Sequence, residues 1–349
     1  LRLGEGSALG TLCVLDRQPR TLTARQLDGL QMLARHIVRE LRLRRDLAEA
    51  RRQVAPERLP VQPGELLQGR WRLVRPIGEG SVGVVFEAYE RSGARVALKF
   101  LRPAWMVHRL VVERFVREAR ILTRISSPHV SRILDVGNLP DARGNIPFLV
   151  MEYLEGTDLE AVRRRSDRVP WPRVVAWALD LCAALTEIHA LDIVHRDLKP
   201  SNVFLSQGDD GTEVIKLVDF GIAKETIPAS EEPLTEVDRL LGSVPYMSPE
   251  QLKSSRDVDA RSDLWSLGVL LHELLTGQLP FPGETVLAIC ATVLSRPPLP
   301  MRASGVELPA GLESIVRRCL QREPGERYAS AQALAEALRP LLRDPRAAS

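Results

Sequence analysis

His195-Arg196-Asp197-Leu198-Lys199-Pro200-Ser201-Asn202 is the stretch from which the rest of this chain can be read. It sets a carboxylate, a lysine and an amide at 197, 199 and 202. Brought close together by an irregular loop, these groups can serve as a base, a cation and a hard-oxygen metal ligand. Pro200 excludes a regular helix across the stretch. The apolar runs Leu191-Asp192-Ile193-Val194 and Val203-Phe204-Leu205 on either side read as buried flanks. The octet is therefore predicted to be a polar loop clamped between two buried segments.

Working outward, Trp171 to Ala190 is an apolar-periodic helix leading into the loop, with Cys182 and His189 read as core residues. Downstream, the strand Val214-Ile215-Lys216-Leu217-Val218 ends at Asp219-Phe220-Gly221, 22 residues after Asp197. Upstream, Arg70 to Phe100 alternates and turns like three antiparallel strands, with Ser92-Gly93 at the second turn. Between the first two lies Gly78-Glu79-Gly80-Ser81-Val82-Gly83-Val84-Val85. Dinucleotide-binding folds share that glycine spacing, but there a helix opens at the glycines. Here Val84-Val85-Phe86 is β-branched and aromatic, which predicts a second strand and a glycine hairpin able to lie over phosphates. Lys99 follows on the third strand, Arg109 to Ile125 reads as a helix, and Phe148-Leu149-Val150-Met151 is a strand running into Glu152-Tyr153-Leu154-Glu155-Gly156.

The chain has 349 residues, 44% hydrophobic and 27% charged, ordinary globular material able to bury a large core. A net charge of +3 gives no reason to expect a nucleic acid partner. Only five lysines occur, at 99, 199, 216, 224 and 253, so each invites a reason. Lys216 is read as an exposed strand residue with no catalytic role. Cys13, Cys182, Cys290 and Cys319 show no paired or zinc-type spacing and fit free thiols in a reducing cytoplasm. The most apolar stretches, 174–191 and 264–275, are broken by Asp180, Glu187, His272 and Glu273, so no membrane span or membrane partner is expected. Leu1 in place of Met predicts that the natural start lies further upstream.

Together these segments resemble a protein kinase, and Lys199, two residues after Asp197, resembles the Ser/Thr-specific members. Residues 69–342 are similar to bacterial eukaryotic-like Ser/Thr kinases. The resemblance implies an α+β, two-lobed fold: an antiparallel-sheet N-lobe with one helix over 69–153, a mainly helical C-lobe over 154–342, and a tail at 343–349. It implies transfer of the γ-phosphoryl of ATP to protein serine or threonine hydroxyls, assisted by Mg²⁺ or Mn²⁺. Asp197 would orient the hydroxyl and accept its proton, Lys199 would neutralise charge on the phosphoryl, and Asn202 and Asp219 would hold the metal. Lys99 would grip the α and β phosphates, aimed by Glu118. Glu113 is the rival for that pairing, but Phe115, Ala119 and Leu122 place Glu118 beside the apolar face.

By the same resemblance the nucleotide lies under Ile77, Gly78, Glu79, Gly80, Ser81, Val82, Gly83 and Val85, and against Ala97 and Met151. The backbone around Glu152 and Leu154 meets the adenine edge, and Asp158 reaches the ribose. Phe220 packs under the glutamate-bearing helix, and Gly221 completes the magnesium motif. Gly242 to Glu250 resembles the substrate-docking segment, with Ser248 where alanine is usual. Ser243 is expected to contact Asp197 and Lys199, Glu250 to pair with a buried Arg327, and Asp263 to anchor the loop backbone. Between Ile222 and Leu241 periodicity is lost, as in a mobile activation loop. Arg196 would be met there by a phosphate on Thr226, Ser230 or Thr235, with Thr235, seven residues before Gly242, the first choice.

Residues 7 to 16 read as a strand, and Thr23 caps a helix carrying Leu27, Leu30, Ala34, Ile37 and Leu41. This pair resembles the closing strand and last helix of a GAF sensor domain, assigned to residues 1–45. A linker with Pro56, Pro60 and Pro63 occupies 46–68. The helix's apolar seam is expected to pair with a second copy of itself. Signalling by autophosphorylation in the cytoplasm is the overall expectation. A catalytically weak ATP-binding scaffold is the alternative.

Overall fold

The structure, a computed structural model, describes residues 61–79, 83–106, 109–141, 144–165, 168–207, 211–219, 242–253, 258–309 and 311–343. The expected GAF-like strand and helix, the linker as far as residue 60, Gly80, Ser81, Val82, Phe220, Gly221, Thr226, Ser230, Thr235 and the tail beyond Arg343 lie outside the described residues.

Strands β1 (Leu66–Leu67), β2 (Trp71–Glu79), β3 (Gly83–Glu90), β4 (Arg95–Leu101), β5 (Ile133–Asp141) and β6 (Gly144–Glu152) form one antiparallel sheet in the order β1-β2-β3-β4-β6-β5. Alternation sends Leu73, Phe86, Ala88, Leu98, Phe100, Phe148 and Val150 into one apolar cluster. There Phe100 stacks on Phe148 at 5.4 Å, and Trp71 meets Phe148 edge-on at 5.5 Å. Each such ring contributes about 2–3 kcal/mol by leaving water. Two short helical segments follow β4: α1 (Pro103–Met106), which buries Trp105, and α2 (Arg109–Leu122), which buries Val111, Phe115, Ala119 and Leu122. The expected single helix of this lobe is therefore accompanied by an extra turn.

Residues 61–68, expected to be linker, belong to the sheet instead. Leu66 and Leu67 pair with Arg72 and Trp71, Val61 and Leu67 are buried in the sheet's core, and Gln68 Nε2 donates to Asn138 O at 2.6 Å. A strand of two residues carries no periodicity, so nothing in the sequence marks it.

Beyond β6 come β7 (Gly156–Asp158), α3 (Leu159–Arg165), α4 (Trp171–His189), β8 (Val203–Gln207), β9 (Glu213–Leu217), α5 (Pro249–Lys253), α6 (Ala260–Thr276), α7 (Val286–Ser295), α8 (Leu312–Cys319) and α9 (Ala331–Arg343). Helix α6 starts at an Asp259 cap, whose side chain accepts from Arg261 N, and stops at Gly277 with φ of 74°. It is buried from Ser262 to Thr276, as a helix apolar on all sides must be, and Trp265 stacks on Phe281 at 5.2 Å. None of the described helices is long and apolar enough to cross a membrane.

The small sheet β7-β8-β9 sets the site. Strand β8 begins at the residue after Asn202, β9 ends two residues before Asp219, and Val203 pairs with Leu217. The octet and Asp219 thus emerge at the same end of one antiparallel pair, joined by Val218 N donating to Asn202 O at 3.0 Å.

Candidate active site

Asp263, fully buried in the first turn of α6, organises the octet. One carboxylate oxygen accepts from His195 N at 2.9 Å and lies 2.8 Å from His189 Nε2, and the other accepts from Arg196 N at 2.9 Å. A helix N-terminus is a favourable place for that negative charge. His189, read from sequence as a core residue, is in fact this carboxylate's third partner. The His195 ring is buried, which holds its pKa below the ordinary imidazole value against the pull of Asp263. Its Nδ1 accepts from Asp197 N at 3.3 Å and its Nε2 faces Val218 O at 3.1 Å, so the neutral tautomer protonated at Nε2 satisfies both. His195 therefore ties Asp197 to Val218, between the end of β9 and Asp219.

Arg196 and Asp219 have left-handed backbones, with φ of 62° and 54°, conformations that cost a non-glycine residue energy and are held by the surrounding bonds. The Arg196 carbonyl accepts from Gln251 Nε2 at 3.0 Å. Asn202 Nδ2 donates to Asp197 O at 2.8 Å and to Asp197 Oδ2 at 3.0 Å, turning its Oδ1 the other way. Lys199 Nζ lies 3.0 Å from Asp197 Oδ2 and donates to Ser243 Oγ at 2.8 Å. Asp197, Lys199, Asn202 and Ser243 thus form one cluster.

Lys99 Nζ is 2.7 Å from Asp219 Oδ1. The expected Lys99–Glu118 pair is not the contact formed here: Glu118 lies 4.0 Å from Arg114 Nε, one turn earlier on α2, and Glu113 pairs with Arg109 at 2.6 Å. The left-handed turn at Asp219 aims its carboxylate at the lysine, and Arg114 gives Glu118 a partner on its own helix.

The sheet lays out the rest of the expected nucleotide groups. Gly78 pairs with Val85, Val85 with Lys99, and Ala97 with Met151. A Cβ on Gly83 would fall 2.3 Å from Phe100 O, so only glycine fits this end of the hairpin. Ile77 is exposed, and Glu79 pairs with Arg102 at 2.7 Å. Glu152 accepts from Arg132 N at 2.9 Å and from Lys216 Nζ at 2.7 Å. The reading of Lys216 as an exposed residue is thereby overturned. Its scarcity as one of five lysines was the signal, but the partner 64 residues away was not visible. Leu154 is half-buried, and Asp158 Oδ1 caps α3 by accepting from Ala161 N at 2.6 Å.

Behind the docking segment, Arg327 meets Glu250 at two points, 2.7 and 2.8 Å, and also donates to the carbonyls of Gln321, Arg261 and Arg322. Burial pushes the Glu250 carboxyl up, but the bonds from Arg327 and Ser262 hold it below the ordinary range. Tyr246 donates to Glu273 Oε2 at 2.5 Å, and burial pushes both groups' pKa values up. Sequence reasoning missed this second anchor, which joins an aromatic of the docking segment to a buried glutamate near the end of α6.

Asn202 and Asp219 present hard oxygens at the same end of the β8–β9 pair, and Asp219 is partly exposed beside the Lys99 cation. Among the described residues no three His, Cys, Asp or Glu side chains cluster as a metal cage. Two protein ligands complemented by phosphate oxygens and water are what Mg²⁺ prefers, so this donor set fits a nucleotide-borne cation.

A family model described as "Protein kinase domain" matches residues 71–338. Serine/threonine-protein kinase pkn2 of Myxococcus xanthus is 38% identical over 276 residues, 78% of this chain and 32% of that protein. Pkn1 of the same organism is 38% identical over 271 residues, 77% and 38% respectively. The chain thus spans about a third of the length of these curated relatives. Among solved structures, the Mycobacterium tuberculosis PknI kinase domain superposes with a TM-score of 0.61 at 26% identity, covering 81% of this chain and 99% of that one. With the match extending from the second strand of the large sheet into the last described helix, this chain belongs to the protein kinase family.

Proposed function

We propose that the chain is a serine/threonine protein kinase that moves the γ-phosphoryl of ATP to a protein hydroxyl. The observation that carries this reading is the cluster of Asp197, Lys199, Asn202 and Ser243 at the end of the β8–β9 pair from which Asp219, with its partner Lys99, also emerges. Asp197, its carboxylate fixed through Oδ2 by Asn202 and Lys199, accepts the proton of the incoming hydroxyl, while Ser243 keeps Lys199 beside it. Lys199 and Lys99 supply positive charge where phosphoryl oxygens become more negative, and this positioning and charge is most of what such a transfer needs from a protein. Asn202 and Asp219 are the residues that would hold Mg²⁺ or Mn²⁺. When bound, the cation neutralises phosphate oxygens and orients the triphosphate. Lys99, now on Asp219, has the reach to serve the phosphates, with Glu118 as its proposed second partner.

Protein substrates are favoured over small molecules by Lys199 and by the docking segment, which Glu250–Arg327 and Tyr246–Glu273 both hold. The same proposal includes signalling through autophosphorylation, a cytoplasmic location, no nucleic acid or membrane partner, a GAF-like fragment over 1–45 and pairing of two copies through the helix after Thr23. Incubation with γ-labelled ATP, Mg²⁺ or Mn²⁺ and a generic protein substrate tests the reaction. Label on serine or threonine is expected. Nucleotide binding without any transfer would favour the scaffold alternative.

A further inference from the structure

The segment Glu152-Tyr153-Leu154-Glu155 leaves the large sheet where its ladder ends: Val96 on β4 pairs with Glu152, the last residue of β6. Arg95, one residue earlier on β4, extends the sheet's hold past that point. Its Nε donates to Glu87 Oε1 at 2.8 Å, its NH2 lies 2.8 Å from the same oxygen, and its NH1 lies 2.9 Å from Glu155 Oε1. The guanidinium carbon lies over the Tyr153 ring, 3.7 Å from its centre.

The two ends of this bridge differ in kind. Glu87 is 4% exposed in the middle of β3 and also receives Arg75 at 2.9 Å, so the sheet end is fixed by a buried carboxylate that needs its cations. The Glu155 side chain is 80% exposed, and an ion pair so open to water holds little. The contact that specifies geometry at the far end is therefore the flat guanidinium on the Tyr153 ring. Glu152, meanwhile, is held by Arg132 N and Lys216.

We propose that Arg95 is a positioning residue for nucleotide binding: by clamping Tyr153 it sets the backbone at Glu152 and Leu154 to receive the base. This rests on the kinase reading above, since Tyr153 stands between the two residues whose backbone groups are assigned to the adenine edge. Arg95 touches neither substrate nor phosphate in this account and acts only through Tyr153.

The test compares Arg95→Met, Arg95→Lys, Tyr153→Leu and the Arg95→Met/Tyr153→Leu double variant in the full chain. The readouts are titration with a fluorescent ATP analogue, steady-state KM for ATP and kcat, and thermal unfolding as a check on folding. Arg95→Met is expected to raise Kd and KM for ATP by about three- to tenfold, the scale of a partly desolvated cation–ring contact, with a smaller change in kcat. Arg95→Lys should behave like Arg95→Met, because an ammonium offers neither the flat face nor the fork. Tyr153→Leu should match the loss, and the double variant should be no worse than either single change. Should Arg95→Met fail to fold, Tyr153→Leu and Arg95→Lys carry the same prediction. Wild-type affinity in these variants, full rescue by lysine, additive losses, or a loss confined to kcat would each overturn the proposal. A wild-type chain that binds no nucleotide would overturn the kinase reading and this proposal with it.

Discussion

Glu250 and Arg327, 77 residues apart, meet with the arginine side chain wholly inaccessible to water, so each needs the other. Arg327→Met leaves a buried carboxylate without its cation and is expected to lower stability by about 3–5 kcal/mol in denaturant unfolding. Arg327→Lys should recover only part, lacking the fork. Because the folded Glu250 carboxyl titrates below its ordinary value of 4.5, its contribution is fully present above that value and disappears as pH falls through the folded one. Unfolding followed from pH 7 into this acid range should therefore show a shallower loss for Glu250→Gln than for wild type, although the variant starts lower. Lys216→Met, at a lysine read from sequence as exposed, is expected to cost about 1 kcal/mol through its bond to Glu152. Exposed Lys253 is the proper neutral control, and equal stability of the two variants would contradict the structural account of Lys216.

Helices α2 and α4 were legible from apolar spacings of three and four, as along Phe115, Ala119 and Leu122, and the strands around the glycine hairpin from their β-branched and aromatic residues, although β4 is buried on both faces rather than alternating. The octet was legible because its residue types are unusual together, and Pro200 forbids a helix. Strand β1 was not, being too short for any pattern, and the partners of Lys99, Lys216 and His189 were not, because the contacts are set by how distant elements stack. The glycine motif shows the same limit. Gly78 and Gly83 look equivalent in sequence, yet a Cβ at Gly78 meets only Val85 at 3.9 Å, while one at Gly83 would enter the backbone of β4. Gly83→Ala is expected to cost about 1–3 kcal/mol and to weaken ATP binding, with Gly78→Ala losing much less stability. Thermal melts of both separate the two positions, and equal losses would contradict the placement of β3 against β4.

At the scale of the whole molecule, two described parts supply the site: a sheet that carries Lys99 and ends at Glu152, and a helical body whose α6 fixes the octet through Asp263. The proposed function includes a phosphate on Thr226, Ser230 or Thr235, a modification that adds about −1.5 to −2 charge. Mass spectrometry after incubation with ATP should find it in wild type and not in Asp197→Asn. An active chain that stays unmodified, and is unaffected by the triple alanine change, would remove that regulatory step. The transfer itself is tested most directly by the rate of ³²P incorporation into protein by wild type, Asp197→Asn and Lys99→Met, each shown to be folded by circular dichroism. Both variants should be slower by roughly a hundredfold or more, because they remove the proton acceptor and the phosphate-binding cation. Wild-type-like turnover in either would contradict the assignment.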